Sequence, residues 1–505
     1  MSIKAARSVI PALCALTSFA FAESARGEGS PVVPGNPSQA NGDSGSSASA
    51  AENRTFCIDP SFGAKDSNRR MGLQLLRRPP ERVMAVGPDG SIFITGNLLV
   101  DPKSRKRRTG LFSVQKFNSD GRPDPTFASN GESLVKPNTG GAGIIPRYLH
   151  LMPDGGVISG GLAGYMAFVP MVNKYKSDGS FDPDFGKRVK KQADVPGYAY
   201  DATPGGPACL SLGLTDFNET GPFAHLIAGR GGQFFFAGRS PVQTGKKRRP
   251  EETWLPVIRK FTAEGLLDRS FGKAGTVQLQ RSDNLFDFTV LDDGRSAILM
   301  NQQDHDSGVQ GGLLVKRLLE SGKVDSTWRG VDLSPLIAKS VMAFLKSTDG
   351  VDVQISSRVI NHAQFIGARD GGVFVGGESE GYVFVIRVSA SGEIDESWGQ
   401  QGIVLWRESQ YAWRESKSFA AFALMPRGEI VAYDNNDIFS LIDPAGRKRE
   451  SGPIEVGSGG YMPGGLQIVP QGENSLILLG GFDRGDDVRL DRIRLDATCP
   501  QQKNP

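Results

Sequence analysis

Residues 365–377 read "FIGARDGGVFVGG", and the pattern of this stretch decides the fold. Two runs of β-forming residues flank an Asp-Gly-Gly turn, and such turns favour hairpins because their residues adopt positive φ. A third run, "VIRVSASG" at 385–392, follows, and "GEIDESW" at 392–398 leads into a further extended piece. The stretch therefore predicts a unit of four short strands.

The same unit recurs along most of the chain, for example as "VMAVGPDGSIFITG" from Val83 and "LHLMPDGGVISGG" from Leu149. The unit after Gly428 is degenerate, because its "GRKRESG" lacks the Asp and the aromatic residue of the other copies. One four-stranded sheet cannot bury both of its faces alone, whereas a ring of such sheets can. We therefore predict an all-β fold, a seven-bladed β-propeller of four-stranded blades. The seven hairpin glycines are Gly90, Gly155, Gly232, Gly294, Gly371, Gly428 and Gly472.

The recurring pattern resembles the delta-60 repeat of bacterial exported proteins, which is itself similar to the NHL-type propeller repeat. The resemblance covers residues 57 to about 499. It implies that the first run of each unit is the innermost strand of a blade, and it implies little about activity, since propellers host many functions. Long insertions near 187–220 and 331–360 depart from the repeat, so we expect features particular to this chain there.

The folded part begins within a unit, because "CIDPSFG" at 57–63 matches the tail of the repeat. We therefore expect the N-terminal strand to complete the last blade. Cys499 stands at the turn glycine of the last unit and Cys57 at the following position, so a closed ring makes them neighbours and predicts a disulfide. The alternative is that both stay unpaired. Cys209 is then left over, as a buried small residue or a free thiol.

The N-terminal sequence predicts export. Residues 1–22 combine basic residues, a short apolar run and an Ala-Phe-Ala site, which is typical of a signal peptide cleaved after Ala22. Residues 23–52 are rich in Ser, Gly, Ala and Pro and predict a disordered leader, followed by a single propeller domain at 53–500 and a tail at 501–505. No apolar run is long enough for a membrane span. We expect a secreted or periplasmic monomer.

Composition and motifs narrow the function. The net charge of +3 over 505 residues implies no basic face, so no nucleic-acid partner is predicted. The one Gly-x-Ser-x-Gly match, "GESEG" at 377–381, stands between two β-type runs and so is no strand-to-helix elbow, and the sequence contains no His-Glu-x-x-His and no phosphate-binding loop. Acidic loops at 302–308, 434–437 and 483–487 allow a Ca²⁺ site, although none matches an established calcium loop and solvated loop tips are the alternative. No other cofactor or metal is predicted.

A candidate central site emerges when the innermost strands are aligned at their hairpin glycines. Polar residues gather in the layer seven positions before the glycine, and alternate residues of a strand share one side, which we expect to face the channel. Such a set suits acid/base or ligand-binding chemistry. The alternative is that polar channel residues bond water or one another. The catalytic candidates are Tyr148, His225 and Asp287, and the binding candidates are Gln364, His150 and His362.

Two classes of function follow from these patterns. A non-catalytic binding or scaffold protein is favoured, because recognised catalytic motifs are absent and the charged features lie on loops. Its partner is an unknown protein or a small-molecule or glycan ligand, recognised through one face or the central channel. The alternative is a propeller hydrolase or lyase with an active site in the central channel.

Overall fold

The structure is a computed structural model, and in its described part the fold is all-β apart from one α-helix and a short 3-10 turn at Arg230–Gly232. The predicted leader and tail lie outside this part, as does the predicted signal peptide except for Leu16–Thr17. The structure describes residues 16–17, 55–59, 61–63, 73–74, 83–98, 111–137, 144–163, 169–186, 198–202, 208–212, 225–244, 251–280, 283–303, 310–348, 360–379, 381–407, 421–433, 438–453, 467–481 and 488–496.

The strands follow one another along the chain in seven groups, each forming one antiparallel sheet, and five of these sheets have four strands. Three short strands come before the first group: β1 (Leu16–Thr17), β2 (Thr55–Ile58) and β3 (Leu73–Gln74). Blade 1 contains β4 (Met84–Val86), β5 (Ile92–Leu98), β6 (Leu111–Phe117) and β7 (Glu132–Pro137). Blade 2 contains β8 (Ile144–Leu151), β9 (Val157–Ala163), β10 (Val169–Tyr175), β11 (Tyr198–Ala202) and β12 (Ala208–Leu212).

The next two blades keep the four-stranded pattern, and the only α-helix of the described residues follows them. Blade 3 contains β13 (His225–Ala228), β14 (Phe234–Thr244), β15 (Glu251–Phe261) and β16 (Thr276–Gln278). Blade 4 contains β17 (Asp283–Val290), β18 (Ser296–Gln303), β19 (Gln310–Leu318) and β20 (Val331–Asp332). The helix, α1, spans Ser334–Thr348.

The last three blades complete the set of seven. Blade 5 contains β21 (Ile360–Arg369), β22 (Gly372–Ser379), β23 (Tyr382–Val388) and β24 (Ile403–Arg407). Blade 6 contains β25 (Ala421–Leu424), β26 (Ile430–Tyr433), β27 (Ile438–Ile442) and β28 (Lys448–Pro453). Blade 7 contains β29 (Gln467–Pro470), β30 (Ser475–Gly481) and β31 (Val488–Asp496), with β2 as its fourth strand.

The blades form a closed ring. The first strands contact one another in the order β4, β8, β13, β17, β21, β25 and β29, and β29 contacts β4 again. The N-terminal strand completes the last blade, because β2 pairs antiparallel with β31 and places Cys57 opposite Arg494. The sequence-based prediction of a seven-bladed propeller closed by its N-terminal strand is thus confirmed. The first strand of this closure, β2, and the last strand of the described residues, β31, thus lie side by side in blade 7.

The core of the ring consists of the apolar layers between successive blades. Between blades 3 and 4, for example, Phe235, Phe271 and Phe288 pack together within one buried cluster. Such packing is what a blade requires, since both faces of its sheet carry apolar side chains that only its neighbours can cover. Each blade is therefore stabilised by the blades beside it rather than by a core of its own.

Both predicted insertions hold additional structure. The insertion near 187–220 contains β11 and β12, which give blade 2 a fifth strand on its outer side. The insertion near 331–360 contains β20 and α1, and Ile337 and Val341 of the helix are buried in the apolar cluster between blades 4 and 5. In blade 1, β1 pairs with β7 and β3 pairs with β5.

Candidate functional site

The predicted central layer lies on the first strands of blades 2 to 5, with Tyr148 in β8, His225 in β13, Asp287 in β17 and Gln364 in β21. The strand register shifts directly before Tyr148 and before Asp287, as at a β-bulge, which re-aims the side chain that follows. Tyr148, His225 and Asp287 are 2%, 7% and 2% exposed. Gln364 is half-buried. Three of the four candidates are thus closed to a substrate in this conformation.

The side chains of this layer face neighbouring blades, whereas the sequence led us to expect them in the channel. Each blade turns the two faces of its sheet toward the blades before and after it. Alternate residues of an inner strand therefore point to those two blades, and only the strand edge borders the axis. Tyr148, for example, packs with Leu226 and Phe236 of blade 3 in one buried cluster.

Asp287 connects three blades. Its Oδ1 accepts a hydrogen bond from the backbone N–H of Phe288 at 2.7 Å, and its Oδ2 accepts one from the N–H of Phe365 in blade 5 at 2.8 Å. Nδ1 of His225 in blade 3 lies 3.7 Å from Oδ1. Both carboxylate oxygens are thus engaged by backbone amides, which is how a buried acid is stabilised as a structural acceptor.

Two further polar residues of the inner strands also bridge to the next blade. Nε2 of His150 contacts the carbonyl oxygen of Leu226 in blade 3. Gln467 in blade 7 accepts a hydrogen bond from the N–H of Met84 in blade 1 and donates one to its carbonyl oxygen, both at 3.0 Å. Met84, Leu226 and Phe365 occupy the same position, six residues before their hairpin glycines. The polar inner residues therefore link successive inner strands at one level of the ring.

The remaining binding candidates are placed less fully. Gln364 lies on β21 opposite Gly376. His362 lies on the same strand, opposite Glu378, and its side chain is outside the described residues. The predicted catalytic and binding roles of all six candidates stay predictions. The contacts described above are those of residues that hold blades together.

A second constellation, which the sequence pattern contained, joins the blades near their outer strands. We call it the latch: an Asp, the residue two positions later, the aromatic residue after that and the next residue. In the latch at 124–128, the N–H and the hydroxyl of Thr126 donate to Oδ1 of Asp124 at 2.9 and 2.6 Å, and Nζ of Lys116 lies 2.9 Å from Oδ2. The six latches span 59–63, 124–128, 182–186, 268–272, 325–329 and 395–399.

The cation that neutralises each latch Asp comes from the third strand of the same blade. Arg317 donates to Oδ2 of Asp325 at 2.9 Å from Nε, and its Nη2 lies 2.8 Å away. Hydrogen bonds from Thr327, followed by those from Arg317, lower the pKa of Asp325 to about 2, although burial opposes the shift. The other pairs are Lys116–Asp124, Lys174–Asp182, Lys260–Asp268, Arg387–Asp395 and Arg492–Asp59, with N–O distances between 2.7 and 3.5 Å.

Each latch fastens its blade to the next one. The residue after the aromatic donates its backbone N–H to the turn of the following blade, for example Ala128 to the carbonyl oxygen of Asp178 at 2.7 Å. The aromatic ring packs on the turn glycine there. A Cβ added to Gly392 would lie 2.6 Å from the ring of Trp328, so only glycine allows this approach. Gly392 also has a φ of 87°, which glycine adopts without strain.

Sequence reasoning found the latch residues as a repeat but missed what they do. The signal was present: a Lys or Arg stands five residues before the turn glycine in blades 1 to 5, as in Lys116 and Gly121. Blade 6 has Leu441 at this position, and it has no latch. The cation, the Asp and the aromatic residue are therefore present or absent together.

The remaining predictions fall largely outside the described residues. The acidic loops at 302–308, 434–437 and 483–487 are mostly not described, and no three His, Cys, Asp or Glu residues of the described part are grouped as a metal site. The Ca²⁺ site therefore stays a prediction. Cys499 is not described either, so its disulfide with Cys57 also stays a prediction. No helix within the described ranges is long and apolar enough to cross a membrane.

Comparison with known proteins finds distant structural similarity, at TM-scores below 0.5 for the three structures named here. No protein-family model matches the chain, and no curated protein matches its sequence. The β-propeller domain of the trilobed protease from Pyrococcus furiosus is similar at 9% identity and a TM-score of 0.40, over 85% of this chain and 100% of that one. The Dos1 propeller is similar at 10% identity and a TM-score of 0.38, over 84% and 96%.

Prolyl oligopeptidase B from Galerina marginata is also similar, at 13% identity and a TM-score of 0.41, over 82% of this chain. This chain spans about half the length of that enzyme, covering 48% of it. The strands, their order and the closed ring define the class of this protein, a seven-bladed β-propeller. Membership of the delta-60 repeat family stays a prediction.

Proposed function

We propose that this chain is an exported, non-catalytic binding or scaffold protein that recognises a protein, small-molecule or glycan partner through one face of the ring. That face carries the connections between the second and third strands. The observation that carries the proposal is the contrast between the two faces. One is nearly the same in every blade, and the other differs from blade to blade.

The first face is made of short turns tied by hydrogen bonds. The hairpins at 152–156 and 291–295 are each five residues long, and in both the turn glycine donates its N–H to the first residue of the turn at 3.0 Å. The latches and the turns that receive them lie on this face as well. Its residues are thus occupied in holding the ring together, which favours a structural role for this face.

The second face differs from blade to blade. Connections between the second and third strands range from two residues at 380–381 to twelve at 99–110. The connections that lead to the next blade also leave from this face, and one of them contains α1. Variable connections on a rigid scaffold are where propellers and other folds carry recognition.

The central residues support the non-catalytic reading. A general base has to reach the proton that it abstracts. Asp287 and His225 are buried, and both oxygens of Asp287 already accept backbone hydrogen bonds. These contacts favour a blade-to-blade anchor over the hydrolase or lyase alternative.

A ligand screen with matched variants tests the proposal. The full chain is screened against glycan and small-molecule panels by thermal shift, and each hit is repeated with two variants. In one, the basic "KKRR" at 246–249 of the variable face is replaced by alanines. In the control, Lys176 and Lys323, two exposed residues of the turn face, become alanine. We expect ligand binding to weaken in the first variant and to persist in the control, while the reverse pattern would contradict the proposal.

The enzyme alternative is separated by the double variant His225→Phe/Asp287→Asn. If the protein only binds, any hydrolytic activity of the preparation is the same in the variant as in the natural chain at equal folded fraction, as judged by circular dichroism. Loss of a measured activity with the fold intact would instead establish the central site.

Export and the disulfide belong to the same proposal. A protein processed after Ala22 and oxidised outside the cytoplasm is expected to yield, without reductant, a linked pair of peptides containing Cys57 and Cys499. The bridge joins the two chain ends where the ring closes. Peptide mass spectrometry with and without reductant tests it, and recovery of both thiols free from an exported sample would contradict it.

A further inference from the structure

Residues 55–63, which we call the closing segment, contact three different blades. At its first end, Phe56 stacks on Phe439 in the third strand of blade 6, with ring centroids 4.9 Å apart. Phe56 is buried in the apolar cluster between blades 6 and 7, and Ile58 packs against the same cluster. The closing segment therefore covers part of an interface to which its own blade and the preceding blade both contribute.

Its middle is bound by blade 7 alone. The four residues of β2 pair with β31, and the N–H of Asp59 then donates to the carbonyl oxygen of Arg492 at 2.8 Å. The carboxylate of Asp59 lies 2.8 Å from Nε and 2.7 Å from Nη2 of Arg492. The Asp59 side chain is 5% exposed, so this two-pronged contact is largely withdrawn from water.

The C-terminal end of the closing segment contacts blade 1. The N–H of Gly63 donates to the carbonyl oxygen of Asp120 at 2.7 Å. A Cβ added to Gly121 would lie 2.6 Å from the ring of Phe62, which is itself 2% exposed. The guanidinium of Arg492 also lies over that ring, 5.1 Å from its centroid. Phe62 is thus enclosed by blades 7 and 1.

Strand β2 of the closing segment is also the edge strand of its sheet. In its sheet the order is β2, β31, β30 and β29, so β2 has a single neighbour and its removal breaks no other strand pair. Every contact described above joins it to residues at least 57 positions away along the chain, the nearest being Asp120 to Gly63. Addition of an extended peptide to such a free sheet edge is a common mode of peptide recognition, in which main-chain bonds supply affinity and side-chain pockets supply specificity.

We propose that the edge of β31, together with Phe439 and the turn at 118–121, is a docking site for one extended peptide, and that the closing segment is its ligand. The peptide is recognised by an aromatic, an apolar, an acidic and a hydroxyl residue and by a second aromatic residue followed by glycine. In the closing segment these are Phe56, Ile58, Asp59, Ser61, Phe62 and Gly63. The six-bladed remainder and the three strands of blade 7 stay folded when this peptide leaves. The site then accepts the same segment supplied by a separate molecule.

The test uses the full chain with a protease recognition sequence inserted at 64–72. The protein is cut there under native conditions with a reductant present, so that a bridge at Cys57 does not retain the segment. A fluorescent peptide of residues 53–64 carrying Cys57→Ser is then added, and its binding is followed by anisotropy. We expect the peptide to enter the cut protein and not the uncut one, in which the attached segment has the higher effective concentration.

Peptide variants establish which contacts recognise the segment. Phe62→Ala and Asp59→Ala peptides are expected to bind at least about tenfold more weakly, because one removes an enclosed ring and the other leaves Arg492 without its carboxylate. An Ile58→Val peptide, which keeps shape and β-propensity, is the matched control and is expected to bind nearly as well. A scrambled peptide is expected not to bind.

Three results would overturn the proposal. The first is that the cut protein loses its β-sheet circular dichroism when the segment leaves, which would mean that the segment is an inseparable part of the core. The labelled peptide fails to enter a cut ring that has released its own segment and kept its fold. The Phe62→Ala, Asp59→Ala and Ile58→Val peptides all bind alike, so the site does not read the sequence of the closing segment.

Discussion

The interface between blades 5 and 6 and the one between blades 6 and 7 are fastened in different ways. In the first, Trp398 of the latch at 395–399 packs on the turn glycine Gly446. In the second, blade 6 has no latch, and Leu441 stands where the third strands of the other six blades carry a Lys or Arg. There the stack of Phe56 on Phe439 supplies the aromatic contact at a different place in the interface.

The difference teaches that the latch works as a set. A Lys or Arg at the third-strand position without its Asp leaves a largely buried charge uncompensated, which is costlier than losing both partners. The aromatic ring in turn needs a glycine in the next blade, and blade 7 has Ala497 at the corresponding position, five residues after Arg492. Losing the cation, the Asp, the aromatic and the glycine together avoids each of these penalties.

The largest effect is expected from removing a latch aromatic. Trp398 is 1% exposed and belongs to the apolar cluster between blades 5 and 6. Trp398→Ala is expected to lower the free energy of unfolding by about 3–5 kcal/mol, as for other large-to-small core changes. Denaturant unfolding followed by circular dichroism measures it.

Trp406 provides the matched control, because it is only half-buried on β24 with Lys448 over its ring. Trp406→Ala is expected to cost clearly less than Trp398→Ala. Equal losses would show that the interface depends on apolar area alone and that the latch has no special part in it.

A smaller effect is expected from the ion pair of a latch. Asp325→Asn removes a carboxylate that accepts from Thr327 and Arg317, and it is expected to cost about 2 kcal/mol at pH 7, typical of hydrogen bonds to charged groups. The pKa of Asp325 is about 2 in the folded chain, against an ordinary value of 3.8. The contribution is therefore complete above about pH 5 and is lost as the pH falls toward 2.

The measurement compares the natural chain with Asp325→Asn across this pH range. The gap between their unfolding free energies is expected to narrow as the pH falls from 5 toward 2. A gap that stays constant over that range would mean that the carboxylate charge contributes nothing to the stability difference between the two proteins.

A feature of this fold or of its candidate site could be predicted from the sequence when the residues that cause it recur from blade to blade. The ring, the number of blades and closure by the N-terminal strand follow from hairpin glycines and Asp-x-(Ser/Thr/Asp)-(Phe/Trp) segments that recur in register. The latch partners were also within reach, since Lys116 and its counterparts recur five residues before a turn glycine. Their contact with the next blade was not, because the sequence pattern does not say which turn lies beside which aromatic ring.

The central layer was misplaced for a different reason. Strand alternation correctly separates Tyr148 from Leu149, but it does not say whether the two sides face the axis or the adjacent blades. That depends on how each sheet is set in the ring. The contact of Gln467 was out of reach for a further reason, because its partner, Met84, is 383 positions away and no local pattern specifies such a contact.

A comparison of two glycines isolates the packing term of a latch. Gly392 and Gly381 have similar φ values of 87° and 80°, so alanine is strained at both. A Cβ at Gly392 would meet Trp328, whereas nothing lies within 4 Å of a Cβ at Gly381. Gly392→Ala is expected to cost about 1–2 kcal/mol more than Gly381→Ala, the difference being overpacking alone. Similar unfolding midpoints for the two variants would show that the ring of Trp328 moves aside freely.

The smallest effect concerns the seam where blade 7 meets blade 1. Gln467→Ala removes two hydrogen bonds to Met84 and is expected to cost about 1 kcal/mol, since the site is half-exposed and water replaces part of the loss.

The contact between Gln467 and Met84 also makes a kinetic prediction. Contacts between residues this far apart in the chain close the longest loop, so we expect them to form late in folding. The loss should then appear as unfolding that is about fivefold faster, with refolding unchanged. Stopped-flow kinetics measure the unfolding and refolding rates of Gln467→Ala. The control is Gln364→Ala, because Gln364 lies on a strand within a continuous part of the chain. Slower refolding in Gln467→Ala would mean instead that the two ends of the ring meet early and that the blades assemble around a seam already closed.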